Sequence, residues 1–288
     1  MSAGGWIMKQ LNIYSNNLFN LQPQDLWNIQ GSNFTTTTAS VLAIWPDGSI
    51  YATTSTDIDN VLPQASWTCI VSGGAWTGNL AVPDLTQMMG GSMQNLIMGV
   101  GDAPNYLVDS FANVWTYGDT IGGGNPIQQN LVALREAIPQ IKGFELTDDY
   151  MTQPNGIWNF LAIASGVGFE LLSINPSSNP AYWQAGVSTF ANVLTGINVG
   201  FWANPPDFAA IFPGVPLGYN LPYMNGGYTP PQGRCPWSYT DNLANQGLSI
   251  GSFQYYEDFV ANPPPYPHCQ GAGGPCQLQD YAAVLAAL

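Results

Sequence analysis

Apolar, β-prone runs recur along this chain with helix-like stretches between them, and that alternation most limits the folds open to it. The runs are "FTTTTASVLAIW" (34–45), "NLIMGVG" (95–101), "KGFELT" (142–147), "VGFELLSI" (167–174), "GINVGFWA" (196–203) and "SIGSFQYYE" (249–257). Strands buried on both faces read as near-continuous apolar segments, and parallel neighbours need crossover helices. The pattern therefore predicts a parallel sheet covered by helices. No repeat of roughly 20–50 residues overlies it, which argues against solenoids and propellers.

The clearest helix lies in "GNPIQQNLVALREAIPQI" (124–141), where Ile127, Leu131, Leu134 and Ile138 recur at three- and four-residue steps on one face. Asn125 is a candidate cap, and Pro126 suits the first turn, where its missing N–H does no harm. Further helices are expected at 153–166, 179–196 and 278–288. The Pro/Gly/Tyr-rich stretches 204–237 and 261–277 read as long ordered loops, which are more often functional than idle. Residues 74–94 resist assignment. A length of 288 residues suits a (β/α)8 barrel, which takes about 250 residues as one unit. The expected architecture is thus α/β, a single TIM-like barrel domain over residues 1–288 with long Pro/Gly-rich loops at the carboxyl-terminal face.

Charge narrows the partners. Only Lys9, Lys142, Arg135 and Arg234 oppose eighteen acids, for a formal net charge of -14. Nucleic acids and anionic lipids both require clustered cations, so neither is an expected partner. A neutral, hydroxyl-rich ligand such as an oligo- or polysaccharide fits better. Ten Trp and fourteen Tyr supply flat apolar faces for sugar rings, although most such residues in any protein serve the core. No run of about 18 apolar residues is present, so no membrane span is expected.

The N-terminus, "MSAGGWIMKQLNIYSNN", lacks the basic start, apolar stretch and cleavage site of a secretory signal. Either a signal was removed or the protein stays inside. The low charge and the cysteines lean towards a secreted or extracellular setting. Cys69, Cys235, Cys269 and Cys276 contain no C-x-x-C, and His268 is the sole histidine. A multi-histidine zinc site is therefore impossible, and a nucleophilic triad would have to use His268. Cys269 and Cys276 flank "QGAGGP", a loop whose ends a disulfide is able to bridge. The glycine-rich "IGGGNP" (121–126) and "QGAGGP" lack the Lys-Ser/Thr ending of a phosphate loop, and no D-x-D-x-D-G calcium spacing occurs. No cofactor and no metal are expected.

One acidic cluster stands out in so uncharged a chain. "IKGFELTDDY" (141–150) follows the clearest helix directly and gathers Glu145, Asp148 and Asp149 at the end of an apolar run. Side chains alternate along a strand, so Glu145, Thr147 and Asp149 share one side while Phe144, Leu146 and Asp148 share the other. At the carboxyl end of a barrel strand such residues lie on the catalytic face. Close carboxylates in a pocket of low dielectric drive their pKa values apart, so that one stays protonated as a general acid while its neighbour ionises. Glycoside cleavage needs that division of labour. A second cluster, "YEDF" (256–259), offers Glu257 or Asp258 as a partner carboxylate if it shares the face. A solvated acidic turn without chemistry is the alternative for either.

The helix "NLVALREAIPQI" followed by "KGFELTDD" resembles the fourth-strand region of chitinase-like proteins of glycoside hydrolase family 18, where the motif D-G-x-D-x-D-x-E ends in the catalytic Glu. With the motif glycine set on Gly143, Glu145 falls on its second Asp, Thr147 on its third and Asp149 on the catalytic Glu. Weaker likenesses follow in order: "NLIMGVGD" (95–102) is similar to the third strand, and "VGFELLSINPSSNPAYW" (167–183) to the strand after the motif. "PYMNGGYTPPQGRCPW" (222–237) resembles the later Tyr-Asp or Tyr-Asn segment, "IGSFQYYEDF" (250–259) the last strand, and "DYAAVLAAL" the closing helix.

The resemblance implies substrate-assisted glycoside hydrolysis. The carboxylic acid protonates the glycosidic oxygen and the substrate's own N-acetyl carbonyl attacks the anomeric carbon. It makes Asp149 the acid and Glu145 its supporting carboxylate, with Asn225 and Tyr255 as substrate contacts; Tyr223, Trp237, Thr147 and Glu257 are further candidate contacts. Asp149 is one methylene shorter than Glu, and Thr147 lacks the charge that would hold the N-acetyl group. That leaves Asp148 as an alternative acid. Three functions stay open at this point: a glycoside hydrolase, a carbohydrate-binding relative that no longer catalyses, and a structural or surface-assembly protein.

Overall fold

A computed structural model describes residues 10–15, 21–45, 47–54, 66–100, 125–147, 154–176, 183–184, 191–199, 205–221, 250–253 and 278–287. In chain order these form β1 (Gln10–Ser15), α1 (Pro23–Gln30), β2 (Thr36–Ile44), β3 (Ile50–Thr53), β4 (Trp67–Ser72), β5 (Ala75–Trp76), α2 (Val82–Thr86) and β6 (Asn95–Val100). There follow α3 (Pro126–Ala137), β7 (Ile141–Thr147), α4 (Pro154–Val167), β8 (Leu171–Asn175), a 3-10 turn at Ala191–Val193, β9 (Gly196–Val199), α5 (Pro205–Ile211), β10 (Leu217–Leu221), β11 (Ile250–Phe253) and α6 (Leu278–Ala287). The fold is mixed α/β with one large sheet.

Its strand order is β1-β11-β10-β9-β8-β7-β6-β2-β3-β4-β5, and β1 also pairs with β2. The pairings among β1, β2 and β6 to β11 are all parallel. Each of these eight strands has a parallel neighbour on both sides. Beyond them β2, β3, β4 and β5 pair antiparallel in sequence, forming a meander.

Helix α3 forms where the apolar spacing places it. The Asn125 side chain accepts from the N–H groups of Ile127 (2.9 Å) and Gln128 (3.5 Å), and Pro126 opens the helix. That cap satisfies donors no helical carbonyl can reach. Ile127, Leu131, Leu134 and the terminating Ile138 are all buried. Helix α4 fills most of the expected 153–166, and α6 the expected 278–288. Of the helix expected at 179–196, the described part holds Trp183 and Gln184, both helical and the first buried, then a short 3-10 turn and the start of β9.

Two expectations need correction, and two unassigned regions gain elements. Residues 204–237 are not one loop, because α5 and β10 lie within them; proline at 205 and 206 opens that helix instead of forbidding it. The run 167–174 is not a single strand: α4 extends to Val167, and Gly168 then turns at φ +96° before β8 starts at Leu171. The N-terminal segment contributes β1, and 74–94 contributes β5 and α2. Residues 261–277 lie outside the described part.

The parallel strands have two unlike faces. Leu96, Met98, Phe144, Leu146, Leu172, Ile174, Ile197 and Val199 alternate onto the face that packs in the main apolar core with α3, α4 and α6. Phe144 meets Phe160 edge-on at 5.1 Å and Phe169 at 4.8 Å, a favoured geometry for aromatic pairs. The opposite face carries Asn12, Tyr14, Thr36, Thr38, Gly143, Glu145, Ser173, Asn175 and Asn198, every polar one of them buried or nearly so.

Candidate active site

Register decides which residues of β7 reach the polar face. Leu96 of β6 pairs with Ile141, but the next residue, Ile97, pairs with Gly143, so Lys142 is the extra residue of a bulge. A one-residue change of phase sends every following side chain to the other face. Past the bulge, Gly143 and Glu145 lie on the polar face, while Phe144 and Leu146 enter the apolar core. Gly143 is also obligatory: a Cβ there would sit 1.5 Å from the carbonyl oxygen of Leu171. Strands β7 and β8 approach closely only because that carbon is missing.

Glu145 is buried, with 1% of its surface exposed. Four side chains from three other strands converge on its carboxyl group. Tyr14 of β1 donates its hydroxyl to Oε1, and Asn175 of β8 donates Nδ2 to the same oxygen at 3.4 Å. Ser173 of β8 donates to Oε2 at 3.0 Å, and Asn198 of β9 also donates Nδ2 there. Asn175 Nδ2 reaches the Tyr14 hydroxyl as well, at 3.5 Å. Further along the same face, Asn12 Nδ2 donates to Thr38 Oγ1 at 2.8 Å, and the Thr38 hydroxyl returns a bond to Asn12 Oδ1 at 3.1 Å.

Two opposing effects set the protonation of Glu145. Burial penalises the charged form and raises its pKa from 4.5 to about 7, while the bonds from Asn198, Ser173 and Asn175 pull it down. Burial wins. The cage accommodates either state, because Tyr14 and Ser173 are hydroxyls that can accept a proton's bond as readily as donate one. The two amide NH2 groups only donate, so they hold the ionised oxygens or the carbonyl oxygen of the neutral acid.

Of the residues singled out in the sequence, Glu145 lies on the face its alternation allowed. Thr147 ends β7 opposite Asn175. Asp148, Asp149, Asn225, Tyr223, Tyr255, Trp237, Glu257 and Asp258 lie outside the described residues, as do His268, Cys235, Cys269 and Cys276. Cys69 is a free thiol. Tyr14, Ser173, Asn175 and Asn198 were missed. Their signal was present: each is polar at an alternate position of an otherwise apolar strand, as in "LNIY", "LLSIN" and "GINV".

Among the described residues, no group of three or more His, Cys, Asp or Glu side chains is placed to hold a metal ion. No described helix is long and apolar enough to cross a membrane. A cleft of about 360 Å³ near the start of β7 contains Arg135 and Lys142 beside Glu136 and Glu170. Its cations serve the backbone: Arg135 Nη1 donates to the Val167 carbonyl at 2.6 Å, at the end of α4, and Lys142 Nζ to that of Pro139 at 3.2 Å. These contacts satisfy the last carbonyl of α4 and a carbonyl of the turn before β7.

No protein-family model matches the chain, and no curated protein matches its sequence. Solved structures share its fold. A chitinase from Chromobacterium violaceum ATCC 12472 superposes with a TM-score of 0.55 at 10% identity, covering 97% of this chain and 98% of its own. The spore cortex-lytic enzyme of Bacillus cereus gives 0.55 at 11% identity over 97% of this chain and 74% of its own. A family 18 chitinase from Crocus vernus gives 0.51 at 14% identity over 88% and 94%. At such identities the likeness is one of fold, that of TIM-barrel proteins.

Proposed function

We propose that the chain is a closed (β/α)8 barrel that takes a neutral or amino-sugar glycan at the carboxyl ends of its strands and hydrolyses a glycosidic bond with an acid just past β7. Closure is supported by the parallel neighbours on both sides of all eight strands, including β1 with β2 and β11. The polar face is then the barrel interior. A carbohydrate substrate is supported by the chitinase fold of the structural neighbours and by a chain too poor in cations for anionic polymers.

The observation that carries the chemistry is the caged carboxyl group of Glu145, two residues before the end of β7 and four before Asp149. Sealed in the interior, Glu145 cannot touch a glycosidic oxygen, so it is a positioning residue. Its near-neutral pKa lets it change charge around pH 7, and once ionised it raises the pKa of any carboxyl group close by, which favours a protonated donor. Asp149 is the first candidate for that donor and Asp148 the second. Thr147, standing where the family motif has an Asp, favours a second reading in which the site binds a glycan without cutting it.

A hydrolysis and retention screen over chitin oligomers and other neutral and amino-sugar polymers tests the reading. Wild type is compared with Asp149→Asn, Asp148→Asn and Glu145→Gln across acidic to neutral pH. Product lost in one Asp variant assigns the donor, and Glu145→Gln is expected to move the pH profile. Glycan retained but never cut selects the binding reading. No cleavage and no retention would remove carbohydrate from consideration.

A further inference from the structure

A bulge re-aims the end of β2. Ala39 pairs with Met98 and Leu42 with Val100, three steps on one strand against two on the other. Ala39 and Leu42 both enter the main core. The alternation is therefore inverted beyond the bulge, and Ala43 and Trp45 continue the face that carries Thr36 and Thr38. Tyr51 lies opposite Ala43, and Cys69 opposite Tyr51. Trp67, two residues before Cys69, shares that side. The meander thus extends the polar face past the carboxyl end of β2 as an aromatic surface.

Ala43, Trp45 and Trp67 form a cluster of their own, apart from the main core, with Tyr51 packed against it. Trp45 and Tyr51 stack with centroids 4.2 Å apart, and Trp67 meets Trp45 edge-on at 5.9 Å. Trp67 is 8% exposed. Its Nε1 is buried without a hydrogen-bond partner. Leaving a buried donor unsatisfied is costly, and native proteins rarely do so without a reason.

We propose that Trp45, Tyr51 and Trp67 form a sugar-ring subsite in which the Trp67 indole N–H finds its acceptor in a sugar oxygen. The inference rests on the glycan-binding reading above and assigns that ligand a contact surface. A pyranose suits it on two counts. Its C–H face packs on an aromatic ring, and its ring substituents carry acceptors around the edge. A purely aliphatic ligand would leave the indole N–H unpaired. Because the N–H is sealed in the free protein, entry needs a side-chain movement, and half-buried Tyr51 is the member able to give way. Binding is then linked to a change of tryptophan environment.

Titration of the wild-type protein with chitin oligosaccharides and with neutral β-glucan oligosaccharides, read by intrinsic fluorescence and calorimetry, tests this. Trp67→Phe keeps one aromatic ring in the cluster and removes the N–H donor together with the second ring. It is expected to weaken glycan binding at least about tenfold while the protein still unfolds in one cooperative transition. Tyr51→Leu is expected to weaken binding without losing the fold. Wild-type binding that Trp67→Phe and Tyr51→Leu both leave unchanged overturns the subsite and marks the orphan N–H as a packing defect. Failure of the wild type to bind any of these glycans overturns the parent reading instead.

Discussion

The two faces of the parallel strands do opposite work with the same backbone. On the helix-covered face Phe144, Leu146, Leu172 and Ile174 pack against α4 and its neighbours, where each buried side chain contributes about 1.5–3 kcal/mol relative to exposure. One residue away along β7 and β8, Glu145, Ser173 and Asn175 meet in a hydrogen-bonded cage. Such a cage adds little net stability, since folding only exchanges water's hydrogen bonds for the protein's own. A face of Asn, Thr, Ser and Tyr around one carboxyl group gives up the apolar packing that the helix-covered face gains.

Substitutions on the two faces should therefore separate. Phe144→Ala empties a well-packed aromatic site and is expected to cost about 3–5 kcal/mol in denaturant unfolding. Glu145→Gln probes the other face through pH. The unfolded carboxyl titrates near 4.5 and the folded one near 7, so between those values the native state holds a proton that the unfolded state has lost. The Glu145 contribution to stability is fully present below pH 4.5, falls as pH rises to 7, and is flat beyond. The loss is about 3 kcal/mol. The difference between wild type and Glu145→Gln across that window isolates it from the other carboxylates.

Gly143→Ala joins the faces, because its Cβ collides with the Leu171 carbonyl and must push β7 from β8. We expect a loss of about 1–3 kcal/mol together with a shifted Glu145 titration, measured on the same samples. Asn125→Ala touches neither face and should cost only about 1 kcal/mol, the worth of a helix cap. An Asn125 variant that altered the Glu145 titration would break the separation.

How much of this was legible follows from local physics. Helix α3 and strand β7 were readable to within a few residues, since cap, proline and apolar period all agreed there. Placing Glu145 opposite Phe144 and Leu146 needed only the alternation of the strand beyond its bulge at Lys142. Its partners were less visible because they come from residues 14, 173, 175 and 198, which only the pairing of β1, β8 and β9 brings together. The meander was unreadable for a different reason. Its strands are short, β5 being just Ala75–Trp76, and the bulges in β2 and between β3 and β4 break the two-residue period. The sequence rule for strands fails wherever a bulge is doing the aiming.

One buried amide binds that unreadable region to the most readable one. Asn130 of α3 accepts from the N–H of Gly74 at 2.8 Å and donates to the carbonyl of Gly48 at 2.6 Å, and so grips the β4–β5 and β2–β3 turns of the meander. The hairpins are consequently not an exchangeable ornament. An engineer who trims or swaps them would strand the amide of Asn130 inside the protein and unsettle the helix that leads into β7. Diversification of this rim has to proceed at side chains, with the turns left where Asn130 holds them.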